Sequence, residues 1–247
     1  MNFRGVNFNV THQPLFDHSV EGIRKSVATP EHFLVSDNII TWNRNFSFLQ
    51  NKGFMECVQR NSNTAIERSI IWRTYILCYF AKFASRLGGD FVEVGAYKGN
   101  TANIILEQSG LIGSGNAYYL YDAFEHTGNE LNHAMPEHGA ELYGKVCDRF
   151  AQYDFVKVIK GYVPDSFVHG FPQRIAFAHV DLNQAPAEVG ALKRIIPALV
   201  PGGVIVLDDY GWWGYRKQKE AEDPLFAEHG LEVLELPTGQ GIVLNHL

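Results

Sequence analysis

The chain has 247 residues, of which 46 % are hydrophobic, and a formal net charge of −6. This is enough apolar material for a large core but too little chain for two ordinary domains, so one α/β domain with an N-terminal extension is expected. An acidic surface with no offsetting Lys/Arg cluster repels phosphates and argues against a nucleic-acid partner. Cys57, Cys78 and Cys147 are odd in number and show no C-x-x-C spacing, which argues against a disulfide framework or a zinc knuckle and fits a reducing cytoplasm. The first residues lack the apolar run of a signal peptide, and the most apolar stretch, Ile70 to Phe83, is interrupted by Arg73 and Lys82 and is too short to cross a bilayer. The expectation is a cytoplasmic protein without membrane contact.

Residues 1–60 show no clean period and read as loops and short helices, an extension serving as a lid or a subunit contact. From residue 61 a single domain is expected. Apolar side chains at helical spacing over 64–87 predict a helix that Gly88-Gly89 ends. Strands and helices then alternate. Strands are expected at 90–94, 117–121, 155–159, 175–180 and 203–207, and helices at 99–108, 137–152, 187–199 and 215–229. Two last strands, 231–236 and 241–244, are separated by so short a turn that they must be antiparallel. The fold class is therefore α/β: a Rossmann-like, doubly wound, seven-stranded and mostly parallel sheet with a C-terminal antiparallel hairpin.

The segment FVEVGAYKGNTANIIL places Glu93, Gly95 and Gly99 at the turn from the first of these strands into a helix. Glycine lets a backbone approach a ligand closely, and the helix start offers unbonded amides. The spacing is E-x-G-x-x-x-G rather than the G-x-G-x-x-G of a dinucleotide loop. It resembles motif I of the class I methyltransferases, whose loop wraps the methionine end of S-adenosylmethionine. Tyr97 and Thr101 belong to the same candidate cofactor segment. Asp122 ends the second strand, where an acid can accept ribose hydroxyls, or serve as a turn cap. Phe124 is a candidate for packing on adenine, and Gly161 either passes near adenine or makes a plain turn.

Asp181 ends the fourth strand of the domain, and Asp208 and Asp209 end the fifth. Three converging carboxylates repel one another unless a cation neutralises them, and a hard divalent ion such as Mg²⁺ suits oxygen ligands. Capping of the following helix is the alternative for Asp208-Asp209. In order, FVEVGAYKG, LYDAFE, HVDLN and PGGVIVLDDYG resemble the macrocin O-methyltransferase (TylF-like) family over roughly residues 60–247. The resemblance implies a class I fold, S-adenosylmethionine as cofactor, a Mg²⁺-type metal on Asp181, Asp208 and Asp209, and O-methylation of a hydroxyl on a small molecule, such as a natural-product sugar. It also implies that Asp181 serves catalysis and borders the cofactor.

Family members often carry a second Asp or a His two or three residues after the first metal Asp. This chain has Asn183 and Gln184, neither of which takes a proton at neutral pH. Glu125 and His126, just past the second strand, are candidate bases, with a solvated loop residue as the alternative for His126. His179 reads as a satisfied core histidine, and Trp212 and Trp213 either wall an acceptor pocket or pack the next helix. A NAD-type oxidoreductase and a non-catalytic S-adenosylmethionine-binding module are the rival readings. The sequence leaves a homo-oligomer open.

Overall fold

The structure is a computed structural model that describes residues 2–126 and 135–246. The chain divides into two compact units, 1–75 and 76–247, so the division falls later than the expected boundary at residue 60.

The first unit corrects the expectation of loops and short helices. Strands β1 (Asn2–Arg4), β2 (Phe33–Ser36) and β3 (Ile39–Trp42) form a small sheet, with β1 parallel and β3 antiparallel to β2. Helix α1 (Gln13–Ser26) packs Val20 with Phe33 and Val35. Helices α2 (Lys52–Asn61) and α3 (Ala65–Ser69) follow. The β2–β3 connection is two residues, Asp37 and Asn38, at φ 53° and 59°. This is the left-handed pair that a tight hairpin turn requires. The Asp37 carboxylate is buried and accepts both Nε (2.8 Å) and Nη2 (2.9 Å) of Arg73, itself buried. Arg73 thus belongs to a paired, two-bond contact rather than to a solvated helix face.

The expected helix over 64–87 is interrupted. Thr64 and Glu67 form a reciprocal capping box that starts α3, and Ile70 leaves helical geometry (φ −80°, ψ 23°) before α4 (Ile71–Ala84) begins.

The second unit carries β4 (Asp90–Val94), α5 (Asn100–Ser109), β5 (Tyr118–Asp122), α6 (Leu142–Phe150), β6 (Val156–Lys160), β7 (Ile175–Val180), α7 (Ala185–Ile195), β8 (Leu199–Leu207), α8 (Arg216–Glu228), β9 (Val233–Glu235) and β10 (Gly241–Leu244). Its seven strands lie in the order β6-β5-β4-β7-β8-β10-β9, parallel except for β10. The doubly wound sheet with a C-terminal antiparallel hairpin is as expected. Strand residues alternate between two apolar layers. Phe91, Leu120, Phe177 and Val204 pack with Ala81, Ile105 and Val146, whereas Val92, Tyr121, Ala178 and Ile205 pack with Leu192, Ile195 and Phe226. All six residues of β7 are buried, which explains why all but His179 are apolar. The order in which successive strands are added reverses at β4, whose parallel neighbours are β5 on one side and β7 on the other. A crevice at the carboxyl ends of these strands is the standard ligand position in such a sheet. Among the described residues no helix is long and apolar enough to cross a membrane.

Removing one partner of a buried ion pair leaves a charge without compensation. Asp37→Ala is therefore expected to cost about 3–5 kcal/mol in urea unfolding monitored by circular dichroism. A loss below roughly 1 kcal/mol, the surface-pair range, would show that this pair contributes little.

Candidate active site

The loop after β4 is fixed by geometry that glycine alone supplies at one position. Gly95 has φ +94°, and a Cβ there would stand 1.8 Å from the carbonyl oxygen of Asp181. The β4 and β7 termini therefore meet in backbone contact. Gly95 and Ala96 both donate to the carbonyl of Tyr121 (2.9 and 3.1 Å), and Gly99, at φ +68°, starts α5. Thr101 is half-buried in the first turn of α5, where amides have no carbonyl one turn back.

Asp122 is buried and ties two loops together. Its Oδ2 accepts the amide of Tyr97 (2.8 Å) and its Oδ1 accepts the amide of Phe124 (2.6 Å). Burial raises its pKa, partly opposed by these two amides. Tyr97 (φ 46°) and Phe124 (φ 57°) both take left-handed backbone geometry, which turns their amides toward this carboxylate. The Phe124 ring is fully buried against Tyr143, so its side chain is committed to the core and presents no open face to an adenine. Gly161 donates its amide to the Asp122 carbonyl (2.9 Å) at the end of β6.

A line of buried polar groups crosses the neighbouring strands. Tyr118 on β5 donates its hydroxyl to Glu93 on β4 (2.5 Å). His179 on β7 lies between Glu93 and Asp208, with Nδ1 3.7 Å from Glu93 Oε1 and Nε2 3.6 Å from Asp208 Oδ1. Gln240 donates to Asp208 Oδ1 (3.1 Å). Burial pulls the His179 pKa down, but the Asp208 and Glu93 carboxylates outweigh it and raise it well above the usual range. His179, Asp181 and Asp208 each offer one ligand atom, and these atoms lie within 4.8 Å of one another. Asp209 is not in that group; it is half-buried, and its carbonyl accepts the amide of Trp212 (3.0 Å). Two carboxylate oxygens and one imidazole fit a divalent cation, with the imidazole widening the range beyond Mg²⁺ to Mn²⁺, Fe²⁺ or Zn²⁺. No side chain caps the helical turn Trp213–Tyr215 or α8, which removes the capping alternative for Asp208-Asp209.

The loop after β7 is braced from two sides. Asn183 (φ 58°) donates its amide to Asp181 Oδ1 (3.0 Å), so the residue that departs from the family pattern orients the carboxylate before it. Glu188 on α7 accepts the amides of Leu182 and Asn183, both at 3.0 Å. Behind it, Glu222 on α8 is fully buried. Burial and the adjoining Glu188 carboxylate push its pKa up to about 10.

His126 is exposed and has no contact that ties it to the aspartates; the segment after it, through residue 134, lies outside the described residues. Trp212 packs on the turn before β10, where a Cβ on Gly239 would stand 2.2 Å from its Nε1, while Trp213 is 79 % exposed. The sequence reading leaves Glu188 and His138 unremarked and assigns His179 to the core. His179 was legible from its spacing, because positions i and i+2 of a strand share a face and Asp181 follows two residues later. Glu188 and His138 act across loops, and no local pattern announces them.

Residues 92–210 match the profile of a family described as "Methyltransferase domain". The match spans a little under half of the chain, and over it this chain is similar to a methyltransferase domain. The class I resemblance is borne out, and the oxidoreductase alternative is set aside. The chain is 24 % identical over 159 residues, 54 % of its own length and 57 % of the relative's, to an 8-demethyl-8-(2,3-dimethoxy-alpha-L-rhamnosyl)-tetracenomycin-C 4′-O-methyltransferase of Streptomyces olivaceus. The alignment thus spans little more than half of that protein. Among solved structures, the O-methyltransferase NovP superposes with a TM-score of 0.59 at 17 % identity, covering 72 % of this chain and 81 % of NovP. CalS11, a TDP-rhamnose 3′-O-methyltransferase of calicheamicin biosynthesis, gives 0.55 at 14 % identity and covers 97 % of both chains. At these identities the two structures speak to the fold.

The raised pKa of Glu222 makes a prediction about pH. The folded chain holds a proton that the unfolded chain releases above about pH 4.5, so stability falls as pH rises toward 10. Glu222→Gln mimics the protonated acid and is expected to flatten the slope of unfolding free energy between about pH 6 and 9, where one such group contributes up to ~1.4 kcal/mol per pH unit. An unchanged slope in denaturant titrations across that range would remove Glu222 as its source.

Proposed function

We propose that the chain transfers a methyl group from S-adenosylmethionine to a hydroxyl of a small molecule, a sugar of a natural product, with a divalent cation assisting. The observation that carries the reading is the convergence, at the carboxyl edge of a methyltransferase domain, of the 95–99 loop, Asp122 and the His179–Asp181–Asp208 group. The names of the rhamnose-methylating relatives support the sugar acceptor.

In this reading Gly95 and Gly99 give the methionine end a close backbone approach, and the α5 amides receive its carboxylate. Asp122 keeps lone pairs for ribose hydroxyls beyond the two amides it already binds. Asp181 and Asp208, with His179, would hold the cation. When bound, a divalent cation supplies Lewis acidity that orients an acceptor hydroxyl and lowers its pKa. The new bond is C–O, the broken bond is S–C, and the acceptor proton leaves to solvent. Much of the rate comes from holding donor and acceptor in line. Neither Asn183 nor Gln184 serves as a base, and Asn183 instead keeps Asp181 in place.

Calorimetry with S-adenosylhomocysteine is expected to give binding near micromolar, about −8 kcal/mol. Transfer of a labelled methyl group from S-adenosylmethionine to a rhamnosyl acceptor should stop on adding chelator. Asp208→Asn should lose the cation-dependent turnover while binding S-adenosylhomocysteine normally. No binding by the wild-type chain would overturn the methyltransferase reading; chelator-resistant turnover would overturn only the metal.

A further inference from the structure

The segment at 135–139 folds back onto the loops that present Asp122. The amide of Glu137 donates to the hydroxyl of Tyr97 (2.9 Å), and Lys98 donates to the Glu137 carboxylate (2.9 Å). Gly139 donates to the carbonyl of Phe124 (3.0 Å). The segment is thus fastened to both loops whose amides Asp122 accepts. Between these ties His138 is turned inward. Its side chain is 4 % exposed, its ring stands edge-on to Tyr97 with centroids 5.3 Å apart, and its Nε2 lies 3.6 Å from Asp122 Oδ1.

The other ring nitrogen decides what His138 presents. Nδ1 accepts the amide of Met135 (3.2 Å), so the neutral ring carries its proton on Nε2, facing Asp122. A donor on that side favours one carboxylate rotamer and leaves the remaining lone pairs aimed away from the strap. Asp122 is already fixed by the Tyr97 and Phe124 amides, and the His138 Nε2, 3.6 Å away and so beyond hydrogen-bond distance, adds a polar contact from the far end of the β5–α6 connection.

We propose that His138 is a positioning residue of the cofactor site, orienting Asp122 to accept the ribose hydroxyls of S-adenosylmethionine. This rests on the methyltransferase reading above. It assigns a cofactor role to the far end of the β5–α6 connection, which returns to the β4 loop and to the start of its own loop.

The test compares two ligands on the full chain by calorimetry: S-adenosylhomocysteine and its 2′,3′-dideoxyribose analogue. His138→Ala is expected to weaken S-adenosylhomocysteine about tenfold, the scale of a buried polar contact to a charged group, and to leave the dideoxy analogue unchanged. His138→Gln, which keeps a donor, should restore most of the loss. In turnover the Ala variant should raise KM for S-adenosylmethionine and spare kcat. An equal loss for both ligands would mean general damage to the fold and would overturn the proposal, as would unchanged affinity for S-adenosylhomocysteine. If the wild-type chain binds neither ligand, the methyltransferase reading itself fails.

Discussion

Glu93 and Asp208 are buried carboxylates at the ends of β4 and β8, and the strand between them, β7, places His179 within 3.7 Å of both. Burying two carboxylates near each other is costly unless something offsets their charge. Without a cation the imidazole, its pKa raised by the same two groups, supplies that offset; a bound cation would take over that role and displace the ring proton. Tyr118 donates to the Glu93 oxygen that faces away from His179, and Gln240 donates to Asp208 Oδ1, the oxygen nearest His179. The result is a polar row running from β5 through β4, β7 and β8 to the segment before β10, inside an otherwise apolar sheet. The carboxyl edge can present acidic groups to ligands because this row keeps them compact.

The loops above the row are set mainly by backbone. Gly95 allows the β4 turn to touch the Asp181 carbonyl, and Asp122 gathers the amides of Tyr97 and Phe124. Glu188 gathers those of Leu182 and Asn183. Each carboxylate satisfies loop amides that would otherwise be buried without a partner. A site assembled this way is rigid before any ligand arrives, which suits a reaction that depends on alignment.

Much of this was legible from residue order. The strands at 90–94, 175–180 and 241–244 lie where their apolar runs placed them, because strands buried on both faces leave an unmistakable pattern. The acids at strand ends were visible for the same reason. The first 60 residues were not, since a three-residue strand and a two-residue turn carry too little periodicity. Even so, Asp37-Asn38 between FLVS and IITW was a hairpin signal. The break at Ile70 was hidden because apolar side chains continue across it, while the cap at Thr64–Glu67 is local and readable. His179 looked like core because it is core; its polar neighbours, Glu93 and Asp208, come from two other strands. Phe124 looked like a ligand contact, but its left-handed backbone turns the ring into the packed interior.

The central claim is that cofactor and cation share the carboxyl edge of β4, β5, β7 and β8. Crystals grown with S-adenosylhomocysteine and Mn²⁺ test it directly, because the anomalous signal locates the ion without reference to the protein. The account predicts the homocysteine end along 95–99, the ribose on Asp122, and an anomalous peak within coordination distance of Asp181 and Asp208. Ligand density elsewhere on the chain, or a Mn²⁺ peak away from both aspartates at full ligand occupancy, would contradict it.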